Sequence, residues 1–148
     1  MKPPTIIIDT REQAPLIFEH LPFENGGLTS GDYSVKGLEH LFAVERKSLD
    51  DLCGSVTSGR ERFERELHRL RGFAFKRLLI VGEEKDVLEG NYRSKATPKS
   101  ILGSLYSFEV RYDIPVVWGG NESNSALLVE RWAYRYAREI DKLASWRD

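Results

Sequence analysis

The chain has 148 residues, of which 41% are hydrophobic and 30% are charged, and its net charge is −1. We expect a single globular domain over residues 1–148, because a chain of this length buries an ordinary core. No apolar run approaches the roughly 20 residues of a membrane span, and the amino terminus has no signal-peptide core. The lone Cys53 excludes an internal disulfide and a cysteine metal site. The composition therefore argues against membrane and secreted classes.

The first half of the chain predicts three strands and two helices. The strands are Thr5–Asp9, Asp32–Lys36 and Leu41–Lys47, and the helices follow Ser48 and Gly59. Residues 11–27 hold prolines and glycines that predict an irregular segment, with part of a helix around Leu16–Leu21. Ser48 is a predicted N-cap, with acidic residues in the first turn of its helix.

The second half predicts alternating strands and helices. The strands are Arg77–Val81 and Pro115–Trp118, and the helices begin at Thr97-Pro98 and near Asn124. Residues 83–95 are predicted to form a loop with a short helical piece. This order predicts a mixed β-sheet flanked by helices, in the α/β class.

Two carboxylates are predicted to face each other on the hairpin of residues 32–47. If its turn has an even number of residues, paired residue numbers sum to an odd value such as 77, and Asp32 lies opposite Glu45. Opposed antiparallel residues lie roughly 4.5–5.5 Å apart at Cα, so the two carboxylates can share one cation. Glu45 and Lys47 then share a face of the strand, and Arg46 points the other way.

Carboxylates that face each other repel unless a cation or a proton lies between them. Oxygen ligands select Mg²⁺ or Mn²⁺, which bind through one or two carboxylates and the phosphate oxygens of a substrate. Such an ion polarises a phosphoryl group, and an adjacent lysine orients the attacking water. Asp32, Glu45 and Lys47 therefore form a candidate site for phosphodiester hydrolysis. If the strand of Asp9 neighbours that of Glu45, a third carboxylate joins them.

The alternative is a solvated charged strand, because a D…E-x-K spacing often occurs by chance. Several ordered motifs are more specific, and they resemble the nuclease domain of the XPF family of structure-specific DNA endonucleases. They are Ile8-Asp9-Thr10-Arg11-Glu12, Gly31-Asp32-Tyr33 and Val44-Glu45-Arg46-Lys47-Ser48. The family signature also has an Asp four residues after the Lys, which Asp51 satisfies. The resemblance covers essentially the whole chain and is strongest over residues 5–60.

The resemblance implies a restriction-endonuclease-like core of the PD-(D/E)xK type. It implies cleavage of DNA with Mg²⁺ or Mn²⁺, at branches or at junctions of single and double strands, in repair or recombination. It further implies that Asp32, Glu45 and Asp9 bind the metal and that Lys47 orients water. The remaining catalytic positions match Arg11, Glu12, Arg46 and Asp51. The two arginines are expected to contact phosphate or to brace carboxylates.

Two features depart from the family. A Gln often stands five residues after the Gly of a Gly-Arg pair, and this chain has Glu64 there. Family members commonly add helix-hairpin-helix motifs, and sometimes a helicase domain, and we expect neither in this chain. A stand-alone nuclease domain is therefore expected, for which a partner protein is a candidate source of further DNA contacts. A homodimer is predicted from the resemblance and from Leu128 and Trp132, apolar residues outside the inward stripe of the last helix.

Basic residues are concentrated in residues 60–77, which contain seven Lys or Arg and three Glu. The candidate DNA contacts are Arg60, Arg62, Arg65, Arg69, Arg93, Lys95 and Lys99. A solvated helix face is an equal alternative for Arg62, Arg65 and Arg69, since Glu61 and Arg65 are spaced for an i,i+4 ion pair.

An active metal-dependent DNA endonuclease is the leading hypothesis. A catalytically silent DNA-binding or scaffold subunit is the second, and the presence of Asp32, Glu45 and Lys47 argues against it. A junction resolvase or restriction-like enzyme on the same fold is the third. The protein is expected in the cytoplasm or at the nucleoid if its source is prokaryotic or a phage, and in the nucleus if it is eukaryotic.

Overall fold

The computed structural model describes residues 1–145 of the chain. Six strands form one sheet in the order β2-β1-β3-β4-β5-β6. The strands are β1 Ile6–Asp9, β2 Phe23–Gly26, β3 Tyr33–Val35, β4 Phe42–Ser48, β5 Phe75–Val81 and β6 Val116–Trp118. The helices are α1 Leu49–Val56, α2 Arg60–Leu70, α3 Glu84–Leu88, α4 Pro98–Tyr112 and α5 Glu122–Ser145. The predicted α/β class, a mixed sheet with flanking helices, is confirmed.

The strand directions bring the ends of three strands together at one end of the sheet. β1 pairs in antiparallel fashion with β3, and β3 does so with β4, while β4, β5 and β6 run parallel to one another. The carboxyl ends of β1 and β4 therefore flank the amino end of β3. The strands of Asp9 and Glu45 are not neighbours, because β3 separates them. Both residues nevertheless lie at this end of the sheet.

Helices cover both faces of the sheet. Ala43 of β4 lies in a buried cluster with Phe63 of α2 on one face, whereas the adjacent Val44 lies in a cluster with Val129 of α5 on the other. This alternation follows from the two-residue period of a strand. Within residues 1–145, no helix combines the length and apolar character that crossing a membrane requires.

Residues 11–27 differ most from prediction. No helix forms around Leu16–Leu21. Leu16 and Phe18 are buried in a segment without regular secondary structure, and the Leu16 N–H donates to the Tyr33 hydroxyl at 2.8 Å. The unpredicted strand β2 lies at the sheet edge, parallel to β1. Its sequence FENG is mostly exposed and has no apolar alternation, so pairing with β1, and not local sequence preference, makes it a strand.

The predicted helix starts at Ser48 and Thr97 are confirmed, since each side chain accepts a hydrogen bond from the backbone N–H three residues later. The part of the homodimer prediction that rests on Leu128 and Trp132 is wrong. Leu128 and Trp132 are half-buried against the chain's own core, and the Trp132 ring lies 6.0 Å from that of Phe75. The homodimer itself stays a prediction.

Candidate active site

The predicted hairpin register is confirmed at the end of the β3–β4 pair. Tyr33 pairs with Val44, and the Asp32 N–H donates to the Val44 carbonyl at 2.8 Å. Asp32 and Glu45 are the next residues of the two strands, so their carboxylates face each other on the α2 side of the sheet. The Asp32 carbonyl also accepts the Asp9 N–H at 2.9 Å, which fixes the end of β1 beside them.

Gly31 permits this close approach. Its φ is +79°, a conformation that side chains disfavour, and a Cβ there would lie 3.2 Å from the Val44 carbonyl oxygen. The glycine of the Gly-Asp motif is thus required by the backbone path that turns Asp32 toward Glu45.

A polar pocket of about 240 Å³ opens beside these residues. Its charged lining comprises Asp9, Arg11, Asp32, Glu45, Lys47, Arg62, Glu66 and Arg69. We call it the carboxylate pocket. Five of the eight predicted catalytic residues line it. The strands contribute their ends from one side, and α2 contributes three side chains from another.

The Asp32 and Glu45 carboxylates have few partners for their charge. Asp32 Oδ2 accepts the Arg46 backbone N–H at 2.8 Å. Glu45 is only 8% exposed, and within residues 1–145 no N–H donates a hydrogen bond to its carboxylate. Burial, followed by the charge of Asp32, raises the pKa of Glu45 well above its usual value. Within residues 1–145, no Lys or Arg side chain forms an ion pair with either carboxylate.

Asp9 is held differently. Its Oδ2 accepts Arg11 Nε and its Oδ1 accepts the Leu28 N–H, at 2.8 and 2.9 Å. Burial works to raise the pKa of Asp9, but these hydrogen bonds outweigh it and the pKa is lowered. Both oxygens are engaged, so the geometry makes Asp9 an anchor for the loop before β3. Direct metal binding by Asp9 would require it to exchange one of these partners.

Lys47 projects from β4 on the same face as Glu45, as the strand period predicts. Its Nζ lies 4.9 Å from the centre of the Phe63 ring of α2. Within the part of the chain that the structure describes, Lys47 forms no ion pair within 4.0 Å. Its ammonium is therefore free to act on a group bound in the carboxylate pocket.

Three predicted catalytic residues do not line the carboxylate pocket. Glu12 and Arg46 line a second pocket of about 360 Å³ together with Asp51, which also lines a further pocket with Lys47 and Glu66. Arg46 Nη1 donates to the Ala14 carbonyl at 2.6 Å and lies 3.5 Å from Glu12 Oε2. Arg46 thus braces the segment after β1, and only its backbone N–H reaches a pocket carboxylate.

Glu12 and Asp51 lie beside the carboxylate pocket without lining it. Burial, and next the charge of Asp32, raises the pKa of Glu12. Asp51 is exposed in the first turn of α1, where its N–H donates to the Ser48 hydroxyl. Five of the eight predicted catalytic residues thus line the carboxylate pocket, and catalytic roles for Glu12, Arg46 and Asp51 stay a prediction.

Helix α2 presents a face that the sequence analysis did not recognise. Arg62, Glu66 and Arg69 line the carboxylate pocket, whereas Arg65 points away and pairs with Glu61 at 3.3 Å. The signal was present in the spacing, because each of the three precedes a member of the apolar stripe of Phe63, Leu67 and Leu70.

The other side of α2 holds a second charged cluster. Glu64 Oε2 accepts Arg60 Nε at 3.1 Å, and its Oε1 accepts the Tyr112 hydroxyl at 2.7 Å and a guanidinium N–H of Arg111. Arg60 also donates to the Ser104 hydroxyl at 2.7 Å. We call this set the Glu64 clamp, because it joins α2 to α4. Arg60 is therefore occupied structurally, and Glu64 lies outside the carboxylate pocket.

The remaining candidate DNA contacts lie beyond the pocket. Arg93, Lys95 and Lys99 are exposed in the loop before α4 and in its first turn. The Arg93 N–H donates to Asp50 Oδ1 at 2.9 Å, which ties this loop to α1. The loop is thus next to the sheet edge without contributing to the pocket.

The residues at the centre of the pocket suit a hard divalent cation. Their ligand atoms are carboxylate oxygens. The buried Glu45 receives no N–H hydrogen bond within residues 1–145, so a cation would supply the missing positive charge. Among residues 1–145, no three acidic, histidine or cysteine side chains are close enough to bind one ion together. Asp32 and Glu45 would therefore hold the ion as a pair, with water in the other positions.

Comparison with known protein families and solved structures identifies the family of this chain. The ERCC4 domain model matches residues 8–131, and the chain belongs to this family. XPF from Aeropyrum pernix superposes with a TM-score of 0.74 at 21% identity, over 97% of this chain and 70% of that one. The same protein in complex with DNA gives 0.72 at 22% identity, over 93% and 66%. The chain thus shares its fold with XPF from Aeropyrum pernix.

A sequence relative is much longer than this chain. A Methanocaldococcus jannaschii protein described as an ATP-dependent RNA helicase is 30% identical over 130 residues. The match covers 86% of this chain and 15% of the relative. The likeness therefore concerns one segment of that protein.

Proposed function

We propose that this chain is a metal-dependent DNA endonuclease of the XPF type. The observation that carries the proposal is the pair of Asp32 and Glu45 carboxylates facing each other in a polar pocket, with Lys47 on the same face two residues along β4. Membership of the ERCC4 domain family supports it, and so does the fold shared with an XPF that has been solved with DNA.

Each of these residues has a distinct role in the proposed reaction. Asp32 and Glu45 bind Mg²⁺ or Mn²⁺, which when bound polarises the scissile phosphate and activates a water. Lys47 Nζ orients the attacking water and offsets the negative charge that grows on the phosphate. Arg46 and Asp9 act as positioning residues, the first through its N–H to Asp32 and the second through the loop that leads to β3.

Basic residues around the pocket suit the backbone of a DNA strand. Arg62 and Arg69 line the pocket from α2, and Arg11 is 73% exposed at its mouth. We propose that these three contact the phosphates next to the scissile bond, and that Arg93, Lys95 and Lys99 contact a more distant part of the DNA. Branched DNA, or a junction of single and double strands, is the proposed substrate, in keeping with the family.

A cleavage panel tests this proposal. Labelled flap, fork, four-way-junction and linear duplex DNAs are incubated with Mg²⁺, Mn²⁺, Ca²⁺ or chelator, with Asp32→Asn as the matched inactive variant. We expect cleavage of a branched substrate with Mg²⁺ or Mn²⁺ alone, and none by the variant. Binding without cleavage under every condition would favour the silent-subunit alternative. Selective cutting of four-way junctions would favour a resolvase.

We further propose that the protein is a homodimer. Tyr106 and Val110 are 58% and 86% exposed one turn apart on α4, and β6 leaves one edge of the sheet unpaired within the described residues. Light scattering at micromolar concentration should give twice the 17.0 kDa chain mass, and Val110→Asp should lower it. A 17.0 kDa species alone would contradict the proposal.

A further inference from the structure

Glu66 is the one acidic residue of the carboxylate pocket that no family motif of the sequence analysis includes. It lies on α2, between Arg62 and Arg69, and faces the ends of the strands across the pocket. A carboxylate on the helix wall is not required for packing, since the buried stripe of α2 consists of Phe63 and its apolar neighbours. Its position calls for a separate explanation.

We infer that Glu66 is a positioning residue of the cation site, which accepts hydrogen bonds from the water ligands of a divalent cation held by Asp32 and Glu45. This inference rests on the proposed function, because it requires the cation. It adds a helix residue to a site otherwise built from strand ends.

The first argument is the number of ligands. Asp32 and Glu45 provide two carboxylates, and no three side chains within residues 1–145 are close enough to share an ion. Mg²⁺ usually keeps several waters when it binds through one or two carboxylates. Those waters need acceptors, and outer acceptors of this kind typically contribute strongly to metal affinity. Glu66 supplies an acceptor from the wall opposite the strands.

The second argument is that the pocket has an unmet demand for positive charge. Glu45 is 8% exposed and receives no N–H hydrogen bond from the described residues. The charge of Glu66 acts on the same space, because Glu66 lines the same pocket as Asp32 and Glu45. Another carboxylate beside an uncompensated pair disfavours the metal-free pocket and favours a cation in it.

The third argument is that Glu66 is available. Its one ion-pair partner in the described part of the chain is Arg62, at 3.9 Å, and the Arg62 side chain is 82% exposed. The Glu66 side chain is itself 29% exposed. A long, solvated ion pair of this kind contributes little and is readily exchanged. Glu66 can therefore turn to the waters of a bound cation without losing a strong contact.

The test is a titration with Mn²⁺ alone, without DNA, followed by electron paramagnetic resonance of the free ion. Glu66→Gln should bind Mn²⁺ roughly 10-fold more weakly than the wild type. The matched control is Glu61→Gln, on the same helix, which also removes one charge and one i,i+4 ion pair but lies outside the pocket. It should bind Mn²⁺ as the wild type does.

Glu66→Asp keeps the charge and retracts the carboxylate, so its affinity should fall between those of the wild type and Glu66→Gln. Melting in chelator checks that each variant is folded. Equal affinity for the wild type and Glu66→Gln would overturn the inference and leave the proposed function standing. Equal weakening by Glu61→Gln would overturn it too, because it would show an effect of net charge. A wild type that binds no Mn²⁺ would overturn both.

Discussion

The two sides of helix α2 carry the same kinds of side chain in opposite electrostatic situations. On one side lies the Glu64 clamp, where two guanidinium groups and a hydroxyl satisfy one carboxylate. On the other lies the carboxylate pocket, where Asp32 and Glu45 face each other without a cation between them. Hydrogen bonds from Tyr112 and Arg111 lower the pKa of Glu64, whereas burial and Asp32 raise that of Glu45.

This difference separates charges that hold the fold from charges kept for a ligand. Glu64 stabilises the contact of α2 with α4, and its removal should cost folding free energy. Asp32 and Glu45 oppose folding when no metal is bound, because buried like charges repel. The cation that we propose for the carboxylate pocket would neutralise this pair.

The largest expected effect is a loss of turnover when a residue of the carboxylate pocket is changed. Lys47→Ala should lower the turnover of branched DNA about 10²–10³-fold, because the ammonium acts on the attacking water and the developing charge. DNA affinity, measured by fluorescence anisotropy in Ca²⁺, should change little. A variant that cleaves at the wild-type rate would remove Lys47 from the reaction.

Arg111→Ala is the matched change in the Glu64 clamp. It also removes one positive charge, but it leaves the pocket intact. It should lower the melting temperature and leave turnover unchanged at a temperature where the variant is folded. Turnover losses as large as those of Lys47→Ala would mean that the Glu64 clamp belongs to the catalytic machinery.

The next largest expected effect comes from a change in the backbone beside the carboxylate pocket. Gly31→Ala should destabilise the protein by about 1–3 kcal/mol, because the alanine is strained at a positive φ and its Cβ crowds Val44. Gly37→Ala is the control, since its φ is +86° and nothing lies within 4 Å of its Cβ. It should cost only about 1 kcal/mol. Urea denaturation measures both, and equal losses would show that the crowding near Val44 is readily relieved.

Glu64→Gln should destabilise the protein by about 1–2 kcal/mol, since a charged acceptor with three donors is replaced by a neutral one. The pKa of Glu64 is lowered in the folded state, so its contribution is present at neutral pH and is lost as the pH falls below about 4.5. The unfolding free energies of the two proteins should therefore differ more at pH 7 than at pH 3.5. A constant difference would contradict this role.

The sequence predicted the architecture well where side-chain period decided it. The run TIIID, the alternation in β4 and the caps at Ser48 and Thr97 are local signals, and the structure has the corresponding elements. Strand β2 and the segment of Leu16 and Phe18 could not be predicted in this way. Both depend on partners distant in sequence, β1 for the strand and Tyr33 for the segment.

Only part of the site could be predicted, because some of its residues are brought together by local strand pairing and others by contacts distant in sequence. The hairpin register brought Asp32, Glu45 and Lys47 together, because it depends only on strand period and turn length. The resemblance added Glu12 and Asp51, which do not line the carboxylate pocket in the structure. Glu66 was missed because a helix wall is joined to a strand edge only by tertiary packing.

Asp32→Asn should have the smallest effect on stability, and it distinguishes a metal-binding role of Asp32 from a structural role. In chelator the variant should melt at or slightly above the wild-type temperature. Asn retains an oxygen for the Arg46 N–H, a hydrogen bond of about 0.5–1.5 kcal/mol, and relieves the repulsion of Glu45. Saturating Mn²⁺ stabilises a protein that binds it only when folded by about 2.7 kcal/mol at 100 times Kd, and this gain should shrink or vanish in the variant.

The measurement that tests the central claim most directly is therefore one set of four melting curves, for wild type and Asp32→Asn, each in chelator and in Mn²⁺. A metal-built pocket predicts that the variant equals or exceeds the wild type in chelator and that Mn²⁺ raises the melting temperature of the wild type alone. A variant that melts well below the wild type in chelator, with equal Mn²⁺ shifts for both proteins, would make Asp32 a structural residue and contradict the account.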